Sequence, residues 1–305
     1  MPHLTPKESL LRYRLALVLA GVLWSLGGVF IKLLTQNAGW HSSALGITFY
    51  RSLFAALCLA PLARGRTLPN LRDSLCAIVS YTLLLGLYVA ATQGTTAANA
   101  IFLQYTAPLY ALILGPLFFG EPFHREDAGA LGVAMLGIGI LFFGNFHGGA
   151  QAPLLMGAGS GVMFGFFLLW IRRMRYADPI AVTAINNAGV ALLSGGALLV
   201  SRPAELALVP RALLGESNLL PVALLLAAMG CVQIALPYVL FSYGLKRVAS
   251  VEGSLLALVE PLLNPVWVVL FVGEQPSRAT LAGGLLIIVA LAARYVFFRP
   301  RFQPA

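Results

Sequence analysis

The chain has 305 residues, of which 59% are apolar and 10% charged, with a mean hydropathy of +0.85 and a formal net charge of +9. A soluble domain carries about 25% charged residues, so this chain has too few polar groups to cover a folded surface in water, and its composition predicts an integral membrane protein. Its Lys and Arg lie between apolar runs instead of forming one patch, which argues against a nucleic-acid-binding face and for membrane topology.

A helix needs about twenty apolar residues to cross the hydrocarbon layer. Ten segments qualify: 15–34, 44–62, 73–92, 98–119, 127–146, 153–171, 179–200, 219–242, 253–272 and 278–298. The first run follows Lys7, Arg12 and Arg14 but has no small-residue cleavage site and continues past the length of a leader, so it reads as a retained span. Connections are short except 201–218, which is expected to form an interfacial piece. Cys58, Cys76 and Cys231 fall in or at the edge of apolar runs without paired or metal-ligand spacing and read as free buried thiols.

With the amino terminus in the cytoplasm, fifteen of the twenty Lys and Arg fall on the inner side. Lys32, Arg202, Arg211 and Arg278 fall outside, and Arg51 lies within a span. Such an excess over short loops predicts both termini cytoplasmic, in a multi-pass protein of the cell inner or plasma membrane.

The stretch PLYALILGPLFFGE, 108–121, returns as PLLNPVWVVLFVGE, 261–274. A shift of 153 positions gives seven identities over the 19 positions from Leu103 to Glu121, Pro108 with Pro261 and Glu121 with Glu274 among them. A fainter echo aligns Gly21 with Gly161 and Lys32 with Arg172. The expected architecture is therefore an all-α membrane protein of ten transmembrane helices in two five-helix repeats, 15–146 and 153–298. Five spans is an odd number, so the second repeat is inverted relative to the first. That is the plan of an alternating-access carrier.

Five spans per half, GVLWS in the first span, the Arg of TFYRSLFAALCL in the second, and the fourth-span pattern ending in GE, with VEPLLNPVWVVLFVGE in the second half, resemble the EamA family of the drug/metabolite transporter superfamily. The resemblance covers nearly the whole chain, and the doubled Pro-to-GE stretch is its most specific part. It implies a ten-helix carrier with a central cavity, often an exporter of amino acids, related metabolites or amphipathic compounds. The first copy departs from the second in having Ala107 where the second has Glu260.

Glu260 is the one carboxylate deep in a predicted span, roughly 10–12 Å down at about 1.5 Å per residue. An ionisable group at that depth costs at least about 2.5–3.5 kcal/mol on the insertion scale and should face a cavity or a partner. Two readings stand: a proton-coupling or substrate-amine site, or a protonated Glu bonded to the backbone of a kinked helix. Pro108, Pro237, Pro261 and Pro265 remove amide donors within spans and mark helix breaks; corresponding breaks in both halves point to a carrier's site. Arg51, roughly 10 Å into the second span by the same rise, is expected to snorkel or to pair, with a structural role favoured.

The predicted cavity lining adds Trp24, Ser25, Tyr81, Tyr88, Gln104, Tyr105, Gln233, Tyr238 and Asn264, a set suited to a neutral, zwitterionic or amphipathic solute. Asn186 and Asn187 are expected to hydrogen-bond between helices, and Gly27 with Gly28 to let the first span bend. His3, His41, His124 and His147 lie in the tail or loops, and no nucleophile, metal or phosphate motif stands out, which weighs against an enzyme. No cofactor, metal or nucleic acid is expected; the partners are a small-molecule substrate and the bilayer, and both a monomer and a homodimer fit the pattern. A membrane channel and a non-transporting scaffold subunit are the competing readings.

Overall fold

The computed structural model describes residues 6–36, 42–120, 125–146, 151–248 and 250–297. Glu121, the four histidines, Arg299 and Arg301 lie outside them. Among the described residues the regular structure is helical: α1 (Pro6–Ser25), α2 (Gly27–Gln36), α3 (Ala44–Ala63), α4 (Leu71–Gly94), α5 (Ala97–Gln104), α6 (Ala107–Phe119), α7 (Arg125–Gly144), α8 (Gln151–Arg173), α9 (Pro179–Ser201), α10 (Pro203–Leu206), α11 (Leu208–Leu213), α12 (Leu220–Gly230), α13 (Leu236–Gly244), α14 (Ser250–Ala257), α15 (Val259–Val272) and α16 (Arg278–Phe297). A π-helical turn, Cys231–Ala235, joins α12 to α13.

Among the described residues, eight stretches are long and apolar enough to cross a membrane: Leu10–Gln36, Ala44–Ala63, Leu71–Gly94, Ala97–Phe119, Gln151–Arg173, Pro179–Ser201, Ser217–Gly244 and Glu252–Val272. Ala128–Gly144, within α7, is a shorter apolar helix. The surface is apolar where a soluble protein's would be polar: Leu117, Leu192, Leu199 and Val200 are largely exposed, while Arg51, Asn186, Asn187, Gln233 and Asn264 are buried. In lipid the apolar side chains face the solvent and the polar ones must find partners inside. The chain is an integral membrane protein.

Predicted prolines turn out to sit where a missing N–H matters little. Pro108 lies in the first turn of α6, Pro237 in the first turn of α13 and Pro261 in the first turn of α15. First-turn amides have no intrahelical acceptor, so proline is tolerated there. Pro108 and Pro261 thus follow interruptions of the helix, as expected of break positions, whereas at Pro237 the chain stays helical and only passes through a π turn; Pro265 and Pro116 lie inside α15 and α6.

The duplicated stretch breaks in the same place both times. Helix α5 ends at Gln104 and α14 ends 153 residues later at Ala257. Both copies then close on a left-handed glycine, Gly120 at φ 66° and Gly273 at φ 76°, a conformation that a side chain would strain.

Packing follows the same correspondence. Helix α4 packs on α8 as α13 packs on α1, α5 and α6 pack on α8 as α14 and α15 pack on α1, and α4 meets α9 as α12 meets α3. Helices α3 and α9 pack on each other, as do α7 and α16. Gly137 and Gly283 bring the last pair together: a Cβ on either would lie 2.7 or 2.5 Å from the other's carbonyl oxygen. Each of these contacts joins residues before 147 to residues after 150, so the chain's two parts interleave.

The thiols of Cys58 and Cys231, expected to be unpaired, face each other with sulfurs 2.8 Å apart between α3 and the π turn. Segment 201–218 forms the short helices α10 and α11, held by Tyr50, whose hydroxyl donates to the carbonyls of Glu205 and Leu206 at 2.9 and 2.8 Å.

Candidate functional site

The first span breaks at Leu26, and the break lets α2 approach α15 and the π turn. A Cβ on Gly28 would lie 2.8 Å from Asn264 Oδ1, and one on Gly27 would lie 3.0 Å from Gln233 Nε2. Glycine is required here by close approach as well as by the bend. The carbonyls freed at the end of α1 are satisfied from the other part of the chain: Asn264 Nδ2 donates to Ser25 O at 3.0 Å and Gln233 Nε2 to Trp24 O at 3.1 Å. Trp267 Nε1 donates to Ser25 Oγ at 2.9 Å, and Ser25 Oγ donates to Val22 O at 2.6 Å.

The second break lies opposite. Tyr105, between α5 and α6, donates its hydroxyl to Glu260 Oε2 at 2.6 Å, and the same oxygen is 3.4 Å from Ala257 O at the end of α14. Glu260 occupies the first turn of α15 and is half-buried. Its partner is thus a phenol from the other repeat's break and not the backbone of its own helix, which sets aside the backbone-bonded form of the structural reading. Ala257 O, a carbonyl released by Pro261, has the Tyr105 hydroxyl in reach.

Tyr81 and Tyr88 of α4, Tyr238 of α13 and Glu260 all lie within electrostatic range of the Arg51 guanidinium. Trp24 closes against Tyr238 with ring centroids 5.1 Å apart. The structure therefore gathers Trp24, Ser25, Tyr81, Tyr88, Tyr105, Gln233, Tyr238, Glu260 and Asn264 into one interior. Gln104 is buried at the end of α5, next to the Tyr105 break.

Two expectations need correction. Arg51 neither snorkels nor pairs: it is 4% exposed, and its Nε and Nη1 have no hydrogen-bond partner among the described residues. Asn186 and Asn187 do not bond between helices; Asn187 Nδ2 donates to Thr183 O of its own helix at 2.9 Å, while Asn186 Nδ2 and Asn187 Oδ1 have no partner. Ser52 Oγ, Gln233 Oε1 and Asn264 Oδ1 are likewise buried and unpaired. Buried polar atoms are paired in the large majority of cases, so this group, drawn from α3, α9, the π turn and α15, marks an interior with spare hydrogen-bonding capacity.

A second cluster, not anticipated as a unit, lies at the far end of α2. Lys32, predicted in an outside loop, is 7% exposed and forms an ion pair with Glu274 at 2.5 Å. Lys32 Nζ also donates to Thr95 O at 2.7 Å, and Glu274 Oε1 accepts the Ala97 amide at 2.7 Å. A carboxylate at the start of α5 is favoured by the orphan amides and the helix dipole. Thr280 Oγ1 donates to Asn99 Oδ1 at 2.7 Å and accepts from Asn145 Nδ2 at 3.1 Å, extending the network to α16 and α7. The only advance signal was a lone charge at each of two span ends, because a pairing across 242 positions has no periodic trace. At the opposite face the links are looser: Arg14 and Glu252 pair at 2.6 Å with side chains 47% and 39% exposed.

Broken apolar helices that converge on a buried polar interior define a polytopic membrane protein of the solute-handling class. The chain belongs to the EamA-like transporter family, whose sequence profile matches residues 11–143 and 151–295. It is similar to an uncharacterized transporter from Archaeoglobus fulgidus, 28% identical over 287 residues that cover 90% of this chain and 93% of that one. It is also similar to the uncharacterized transporter YdfC of Bacillus subtilis, 24% identical over 259 residues covering 79% and 78%. A solved crystal structure matches with a TM-score of 0.59 at 21% identity, covering 95% of this chain and 98% of that one, and supports the fold.

Proposed function

We propose that this chain is a secondary carrier that exports small metabolites, such as amino acids or amphipathic compounds, by alternating access. Ten spans form two inverted five-helix repeats, 15–146 and 153–298, with both termini on the cytoplasmic side of the cell inner or plasma membrane. The observation that carries the reading is the matched packing of the two parts around one set of unpaired polar atoms. Inverted repeats allow two equivalent conformations, one open to each side, with a shared site between them. Single cysteines in a background lacking native ones test the topology. Those at the exposed positions Gln36, Gln151 and Ser217 should react with an impermeant maleimide from outside, and those at Arg64 and Arg173 only from inside. Labelling of Gln36 and Arg64 from one side overturns the inverted plan.

The transport reading is tested in proteoliposomes with a broad metabolite panel. Uptake should saturate and should accelerate when the same unlabelled solute is preloaded. Linear flux unaffected by preloading would instead assign the chain to channels, and no flux at all would leave the scaffold reading.

A further inference from the structure

We infer that Arg51 is the anion-binding residue of the central site and receives the carboxylate of a zwitterionic solute whose ammonium group is taken by Glu260. The inference rests on the carrier reading and deepens it to a substrate class and two named contacts. A guanidinium held within the spans is unfavourable unless something compensates it, and Arg51 makes no ion pair and no hydrogen bond among the described residues. Its position excludes the usual escape, since it is buried and its helix α3 packs between α9 and α12. It is therefore a donor fork kept ready for an acceptor that the described residues do not supply.

The surroundings say which acceptor. The phenols of Tyr81, Tyr88 and Tyr238 lie within electrostatic range of the guanidinium, and hydroxyls donate readily to the oxygen lone pairs that a bidentate Arg leaves open on a carboxylate. Glu260 feels the charge of Arg51 but forms no ion pair with it, because its Oε2 is held by Tyr105 at 2.6 Å. Cation and carboxyl thus act on each other through space without an ion pair, each on its own helix, an arrangement that the two opposite charges of one zwitterion can bridge. A phosphate dianion fits poorly, since one guanidinium beside a carboxyl leaves it undercompensated. An amine without a carboxylate would leave Arg51 unpaired.

The test uses the purified full chain in proteoliposomes, with counterflow measured for L-amino acids, the corresponding amino-acid amides, and the corresponding decarboxylated amines. In the native protein the acid should compete about tenfold to a hundredfold better than its amide or amine, the worth of hydrogen bonds to a charged group. In Arg51→Gln that preference should vanish, with the acid falling to the level of the amide, and Arg51→Lys should keep part of it because a point charge cannot form the fork. A merely structural Arg51 would lower all rates together and leave the acid-to-amide ratio unchanged. Amides or amines that exchange as well as acids in the native protein overturn the assignment while leaving the carrier reading in place. No counterflow of any of the three classes overturns the assignment, and only a broad metabolite panel without saturable exchange removes the carrier reading as well. If Arg51→Gln does not fold, the comparison in the native protein decides alone.

Discussion

Glu274→Ala should lower stability by about 3–5 kcal/mol, the cost of breaking a buried ion pair by removing one partner. The side chains of Lys32 and Glu274 are 9% and 17% exposed, so the lysine left behind cannot reach bulk water without moving α2. The variant also strips the Ala97 amide at the start of α5 of its acceptor. Thermal unfolding in detergent measures the loss. The paired change Lys32→Met with Glu274→Leu should recover most of it, because an apolar pair of similar size replaces a desolvated ion pair at little cost. A double variant no more stable than Glu274→Ala would show that Lys32 is not left stranded. The functional consequence follows from where the pair sits. It ties α2, α5 and α15 at one face, so any conformation that opens the interior there must break it. Glu274→Ala should therefore also raise the labelling of a cysteine at Asn99 from that side.

Glu260→Gln should abolish accumulation driven by a pH gradient while solute-for-solute exchange, weakened by loss of the charge that takes the solute's ammonium group, remains measurable. With one proton moved per solute, accumulation is worth about tenfold per pH unit, the equivalent of about 1.4 kcal/mol, and the variant should show none of it. Gln keeps the shape, and its amide oxygen still accepts the Tyr105 hydroxyl that now lies 2.6 Å from Oε2; what it lacks is a titrating proton. The geometry suits a coupling role, because the bond joins the break after α5 to the first turn of α15, one from each repeat, and a change in the carboxyl's protonation acts on both. Glu260→Ala should differ, since it leaves the phenol unpaired and should lose stability by about 1–3 kcal/mol. A Gln variant that still accumulates solute against a gradient leaves Glu260 a fixed bridge between the two breaks and ends the coupling proposal.

What the sequence determined by itself was the solvent, the repeat and the location of the breaks. Apolar runs of about twenty residues have only one solvent in which they can be exposed, and the copy of Pro108–Glu121 at Pro261–Glu274 shows directly where the same backbone event occurs twice. Glu260 stood out because a lone carboxyl in an apolar run has no local way to be solvated. Its actual partner, Tyr105, lies 155 positions away and follows from how the repeats interleave, which no periodicity encodes. The same is true of Lys32, which counted as a loop charge until α2 and α15 were brought together, and of Asn186 and Asn187, whose interhelical bonds were expected but not formed. Arg51 is the clearest case. In the sequence it is one basic residue in an apolar span, equally suited to snorkelling, pairing or packing. Only the tertiary structure decides, by burying it where α3 packs on α9 and α12, bringing three phenols and Glu260 within range of its charge, and engaging that carboxyl on Tyr105. Single-span patterns report which groups are costly in lipid; which of those costs are met inside the protein depends on long-range pairing.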